Sequence, residues 1–301
     1  MQPNLPSMIQ SRLSSYGPLA DLLSHYSGQP AVFYQTSPAD QQSGWNGLSQ
    51  YPRIVFDLDE QANAERKSSG TLVAIIYADR DGTEPERIEP LVKSRLKDLL
   101  VKPEGSFPYC FAWARTDAFE LESKGGGVTN RRIIGLEVRF DIVEYPAQET
   151  TDPDPIAALN AFLLDAFPEL TVLGLSKMEE FTETDAGHPA VYCRLQSERT
   201  VEITNTVVWM DATIAIHVIC SDAEARLKIT ADISNLITWA AEIIMLDGSP
   251  MRPLRMELNN TADYLKEGQL NGVFHYGVLR WMAKPHRIMN ANTDVQAHDQ
   301  L

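Results

Sequence analysis

Cysteine is scarce in this chain: Cys110, Cys193 and Cys220 are the whole supply in 301 residues. All three fall in apolar runs, their number is odd, and no two have the spacing of a metal-ligand pair. Neither a disulfide framework nor a zinc module is therefore expected, and buried free thiols in a reducing compartment fit best. No apolar run approaches the roughly 20 residues that a membrane helix requires. The opening MQPNLPSMIQ has neither the basic region nor the apolar core of a secretion signal. The expectation is a chain made in a cytoplasm, with no membrane partner. Basic residues are also short, 26 Lys and Arg against 41 Asp and Glu, for a net charge of −15. That balance excludes a general grip on nucleic-acid phosphates, while an acidic surface still lets DNA pass as cargo. No G-x-S-x-G elbow, H-E-x-x-H pair, P-loop or G-x-G-x-x-G turn is present.

What the chain does have is a layout written twice. Hydrophobic residues at 44% and charged residues at 22% supply an ordinary core, and this length divides naturally into two units of about 150 residues. Pro52 and Pro189 stand 137 residues apart, as do Leu58 and Leu195, while Asp79 and Asp222 stand 143 apart. Identity between the halves is low, so the repeat is one of pattern.

Ile9, Leu13, Tyr16, Leu19 and Leu23 recur at helical spacing, interrupted by Gly17-Pro18. Residues 31–36, 53–58 and 71–77 read as strands. Thr83 and Glu86 have capping-box spacing ahead of the stripe Ile88, Leu91, Val92, Leu96 and Leu99. Strands follow at 109–114 and 136–142, the second alternating strictly. Residues 144–155, rich in Pro, Thr, Asp and Glu, have no period and mark the joint. The second half then repeats the series. A helix carries Ile156, Leu159, Leu163 and Phe167, and strands follow at 170–175, 191–195 and 212–220. Ser221 and Glu224 have capping-box spacing before the next helix, and strands at 253–258 and 272–281 close the half. The expected architecture is α+β: two similar domains, each a mostly antiparallel β-sheet packed on two α-helices. The boundaries are 1–146, a connection at 147–155, 156–283, and a polar tail at 284–301.

Candidate chemistry is sparse. His217 and His275 fall on neighbouring strands, with Asp211 and Glu257 as the carboxylates that could join them, but two half-exposed sheet histidines is the simpler reading. Asp57, Asp59 and Glu60 form an acidic cluster that a chain of this charge explains without a cation. Gly125, Gly126 and Gly127 lie between strands rather than between strand and helix, so a hairpin tip is favoured over a phosphate cradle. Lys124, Arg131 and Arg132 flank that tip and stand out on an acidic background. Tyr109, Phe111 and Trp113 suit core or interface packing better than a ligand groove. No catalytic, cofactor or metal residue is assigned.

The ordered set Gly44-Trp45 … Tyr51-Pro52-Arg53-Ile54-Val55-Phe56, with the closing strand Arg131-Arg132-Ile133-Ile134-Gly135-Leu136-Glu137-Val138-Arg139-Phe140, resembles the tail terminator, or tail completion, proteins of tailed bacteriophages. The resemblance covers about residues 1–146 and reaches 152–283 only through the repeat. It implies a structural virion protein without catalytic residues or cofactor. Such a protein caps the tail tube as a ring, usually sixfold, and offers a neck surface for the head. The implied partners are further copies of itself, the tail tube protein, the sheath protein where the tail contracts, and the head–tail connector. Having two domains, this chain would form either six copies in two tiers or three copies as a ring of six domains; the divergence of the halves favours two tiers. Trp45 in the loop 38–50, the basic residues Lys124, Arg131 and Arg132, and the tail at 284–301 are the expected subunit contacts. A neck, baseplate or assembly adaptor that forms no ring is the alternative, and a hydrolase built on His217 or His275 is a third reading.

Overall fold

Alternating side chains make the long strands of this protein. In the strand Gly70–Asp79, Leu72, Ala74, Ile76 and Ala78 are buried while Val73, Ile75 and Tyr77 between them stay half-exposed. The computed structural model describes residues 4–46, 50–60, 70–102, 107–122, 132–148, 150–179 and 181–280. Lys124, Arg131, the three glycines at 125–127 and the tail at 284–301 lie outside the described residues.

Five helices are described: α1 (Leu5–Ser14), α2 (Gly17–Ala20), α3 (Pro85–Leu96), α4 (Pro155–Ala166) and α5 (Ala223–Trp239). The helix is split as expected, but the break falls at Ser15-Tyr16, and Gly17-Pro18 opens α2. Both capping boxes are displaced. Glu84, not Thr83, is the N-cap of α3 and makes no side-chain cap bond. Pro85 takes the first helical position, where a missing N–H leaves nothing unsatisfied. Asp222, not Ser221, caps α5, its Oδ1 accepting from the N–H groups of Glu224 (2.9 Å) and Ala225 (3.0 Å). Asp154 caps α4 in the same way, accepting from Ile156 and Ala157.

Two curled, mostly antiparallel sheets carry these helices. The first runs Val32–Tyr34, Arg53–Glu60, Gly70–Asp79, Arg132–Glu144, Tyr109–Glu122 and Leu100–Val101, then receives a seventh strand, Phe181–Thr182. The second runs Thr171–Val172, Ala190–Ile203, Val207–Ile219, Leu270–Leu279, Pro250–Leu258 and Ile243–Ile244. Strand for strand the order is the same. In both, a helix (α1 or α4) precedes the first strand, and a second (α3 or α5) follows the third. In both, the first strand pairs parallel with the second, the exception within a mostly antiparallel sheet. The duplication is therefore one of topology, and the α+β reading of two similar sheet-based halves holds. Each sheet buries one face against its helices, in a cluster containing Ile9, Leu13, Phe56, Ile88 and Phe140 in the first half. Leu159, Leu163, Ile214, Ile233 and Phe274 are among the equivalent residues of the second.

The outer faces differ. In the first sheet the outer side of Gly70–Asp79 stays half-exposed. In the second, Ala215, His217 and Ile219 point outward from the helices and are nonetheless fully buried; Tyr145 packs beside His217, and Ile219 joins an apolar cluster with first-half residues.

Gly135 shows how tightly the first sheet is stacked. The Phe119 ring lies across it and packs edge-on to Tyr77 at 5.5 Å, so an added Cβ would run into that ring and the Ile76 carbonyl. Gly135→Ala is expected to lower unfolding free energy by about 1–3 kcal/mol in urea titration. Gly17→Ala, with nothing within 4 Å of the new methyl, is the control expected to be neutral.

Candidate functional site: the sheet edges and the joint between the halves

The chain between the halves is irregular but packed. Tyr145 and Pro153 are buried, and a third apolar cluster joins Leu100, Cys110, Val143 and Tyr145 of the first half to Leu173, Tyr192, Ile219 and Leu265 of the second. Tyr145 donates to the Leu265 carbonyl at 3.2 Å, and Tyr192 donates to the Pro146 carbonyl at 2.8 Å. The two tyrosine rings stand 5.0 Å apart. Lys266 forms an ion pair with Asp141 across the same seam.

The seam also contains an exchanged strand. Residues 173–189 connect the first two strands of the second half, yet Phe181–Thr182 leaves that half and pairs antiparallel with Leu100–Val101 at the rim of the first sheet. An exposed sheet rim presents unpaired N–H and C=O groups; here the second half supplies their partners. Phe181 packs against the first core, and the Arg12 guanidinium lies over its ring at 5.1 Å. Glu183 then pairs with Arg12 at 2.8 Å and Arg95 at 3.3 Å. Hydrogen bonding to Arg12 holds the Glu183 carboxyl below its ordinary range. Thr184 donates to the Asp98 carbonyl at 2.8 Å. Asp98 is buried with a φ of 60°, a left-handed conformation that Asp tolerates better than most side chains. Its Oδ2 accepts from the Tyr264 hydroxyl at 2.8 Å. Burial pushes the Asp98 carboxyl up, and the Tyr264 bond offsets only part of that.

His217 sits inside the seam, beside the rings of Tyr145 and Tyr192, its Nδ1–H donating to the Tyr264 carbonyl at 3.1 Å. Burial, reinforced by Arg194, lowers its pKa from 6.5 to about 4. His217 and His275 are not neighbours. The register sets His275 opposite Asp211 and Ile216 opposite Leu270, leaving His217 six residues along the strand from Asp211, about 20 Å away. His275 does meet Asp211, at 2.8 Å, and stacks on Trp209 with ring centroids 5.2 Å apart. Arg199 reaches the same carboxylate at 2.9 Å. Burial raises the Asp211 pKa, but His275 and Arg199 outweigh it and hold the carboxyl below its usual value. Glu257 pairs with Asn271 in the ladder and takes no part. This cluster holds one charge in place; it aims no nucleophile.

The other sequence candidates scatter. Trp45 is half-buried inside its own half, its Nε1–H donating to the Ala39 carbonyl at 3.0 Å and its ring packed on Tyr26 and Phe33. Arg132 opens the Arg132–Glu144 strand, exposed, with Glu120 3.9 Å away. Phe111 is core and Tyr109 packs beside it, while Trp113 is exposed under the Lys93 ammonium, 3.5 Å from its ring centroid. Asp57 and Asp59 are exposed on one side of their strand. Among the described residues no group of three His, Cys, Asp or Glu side chains could hold a metal ion, and no helix is long and apolar enough to cross a membrane. All three cysteines are free and buried. A cleft of about 490 Å³ opens beside α4, lined by Pro108, Tyr145, Gln148, Leu173 and Tyr192. Its thiol, Cys193, is pushed far up by burial and stays neutral.

The features that sequence reasoning missed are the two-residue rim strands Leu100–Val101, Phe181–Thr182 and Ile243–Ile244, too short to show a period. Around the last of these lies an apolar patch: Trp239 is 80% exposed, Ile244 58% and Leu246 72%.

Two outcomes test the seam. Phe181→Ala is expected to lower stability by about 1–2 kcal/mol and to speed proteolytic cleavage within 174–189; unchanged cleavage would contradict the edge pairing. His217 binds a proton more readily unfolded than folded, so its contribution is complete above pH 6.5 and declines as the pH falls toward about 4. Over that interval the wild type should lose about 3 kcal/mol more stability than His217→Gln, read from urea midpoints at stepped pH. Compared with protein-family models, with curated proteins and with solved structures, the chain finds no match.

Proposed function

We propose that this chain is a structural subunit of a bacteriophage tail, a terminator-type protein that closes the end of the tail tube as a ring and presents the neck surface to the head. The observation that carries the reading is the seam itself: one α+β half completes the sheet rim of a half whose main sheet has the same strand order. A contact that joins unlike surfaces of like units is heterologous, and repeating it generates rings or filaments rather than closed pairs. The resemblance of residues 1–146 to tail terminators supports the same role, and the net charge of −15 suits a lumen through which DNA passes without adhering. On this reading the partners are further copies of the chain, the tail tube protein, the sheath protein where the tail contracts, and the head–tail connector, and the protein resides in the virion.

The test is functional capping. Purified protein mixed with polymerising tail tube protein should arrest elongation and leave a ring of density at tube ends in negative-stain images. Tubes that elongate unchanged, with bare ends, would contradict the reading.

A further inference from the structure

We propose that the rim strand Ile243–Ile244 is the docking site for a second copy of this chain, which adds its Trp45–Asn46 strand there just as Phe181–Thr182 adds to Leu100–Val101 within one chain. The proposal deepens the ring reading above and rests on it for the closure of the assembly; the surface itself is argued from the duplication.

The two rims hold the same place in the two sheets. Each is a two-residue strand that follows the second helix of its half and pairs antiparallel with the next long strand. In each, one residue faces the core, Val101 in the first half and Ile243 in the second, both fully buried. Their outer sides differ. Leu100–Val101 is completed by Phe181–Thr182. Among the described residues no strand pairs with the outer side of Ile243–Ile244, and Trp239, Ile244 and Leu246 leave its surroundings apolar and exposed. Proteins blunt free rims with charge, proline or a covering element. This one keeps Ile244 and Leu246 exposed between Glu242 and Asp247, an apolar surface with a charged margin that suits a partner strand.

The occupant follows from the same equivalence. Phe181–Thr182 lies in the connection between the first and second strands of the second half, eight residues before Pro189. The matching connection of the first half carries Trp45–Asn46, with Trp45 seven residues before Pro52. Both are short strands that begin with an aromatic residue. Trp45–Asn46 pairs on one side with His25–Tyr26 and forms the edge of a three-stranded sheet. Among the described residues no strand pairs with its other side, and a second copy can offer that side to Ile243–Ile244. The site on the second half is also ready to receive it. Where Arg12 of α1 meets Phe181, α4 carries Phe162, already packed on the second core, so an apolar seat replaces a cationic one. If the contact between chains repeats the contact within a chain, the halves alternate around a single circuit. A sixfold ring then contains three copies, not two tiers of six.

The experiment compares the full-length wild type with Ile244→Lys by light scattering over a concentration series. The substituted side chain is exposed in the monomer, and far-UV circular dichroism verifies the fold. The wild type should rise from one chain to a closed assembly, and Ile244→Lys should raise the concentration of half-assembly by about tenfold or more. In a second arm the double variant Asn46→Cys, Ile244→Cys is oxidised. It should give a covalent ladder on a non-reducing gel, while either single variant gives none. A wild type that remains a single chain, a folded Ile244→Lys that assembles as the wild type does, or a double variant that gives no ladder would each overturn the proposal. The outcomes separate from those for tail capping. An Ile244-dependent ring that ignores tail tubes removes the tail role and leaves this contact, whereas capping that Ile244→Lys leaves intact removes this contact and keeps the tail role.

Discussion

A sheet rim cannot be left with unmet backbone groups unless water or another strand meets them, and the structure of this protein is organised by how its rims are met. Phe181–Thr182 crosses from the second half to satisfy Leu100–Val101 of the first. Once that strand is in place, the residues after it fall where they can be used. Glu183 reaches Arg12 and Arg95, Thr184 reaches the Asp98 backbone, and Asp98 in turn holds the hydroxyl of Tyr264. The apolar cluster around Tyr145 and Tyr192 fills the space behind. The described residues of the connection, 145–148 and 150–154, are consequently part of a packed seam.

The seam also accounts for how the halves have diverged. Both keep the same strand order and the same two helix positions, so the plan of the core is shared. The second sheet buries the outer side of its third strand at Ala215, His217 and Ile219, whereas the first sheet buries its outer side at Cys110 and Val143 of other strands and leaves that of Gly70–Asp79 half-exposed. Burying a histidine and a carboxylate in this seam is costly unless each is hydrogen-bonded. His217 is kept neutral against the Tyr264 carbonyl, and Asp98 is bonded to the Tyr264 hydroxyl. Tyr264 thus serves both groups, through its backbone and its side chain.

The sequence made the long elements legible, for physical reasons that can be named. The alternation from Leu136 to Ile142 and the stripe Ile88, Val92 and Leu96 report one buried face each, and the structure buries those faces. Capping-box spacing points one residue too early at both helix starts, because Pro85 and Asp222 compete with their neighbours and spacing alone does not rank them. The parallel pairing of Val32–Tyr34 was hidden because a short apolar strand reads the same in either direction. The rim strands have two residues and hence no period. The partner of Leu100–Val101 lies some 80 residues away, a distance at which local pattern carries no signal. Of the expected contact residues, Trp45 is engaged within its own half and Arg132 is exposed at a strand end, while Lys124 and Arg131 lie outside the described residues. The apolar patch at Trp239, Ile244 and Leu246 could have been suspected from three large apolar residues in a short stretch that also holds Gly248 and Pro250.

The central claim is that two rims in the same place of the two sheets are both completed by an added strand, one from within the chain and one from a second copy. Hydrogen–deuterium exchange across a concentration series measures this directly. In dilute protein the segment 99–102 should be protected while 242–246 exchanges fast, and at high concentration both should be protected. Fast exchange at 242–246 at every concentration, or at 99–102 in the dilute protein, would contradict the account.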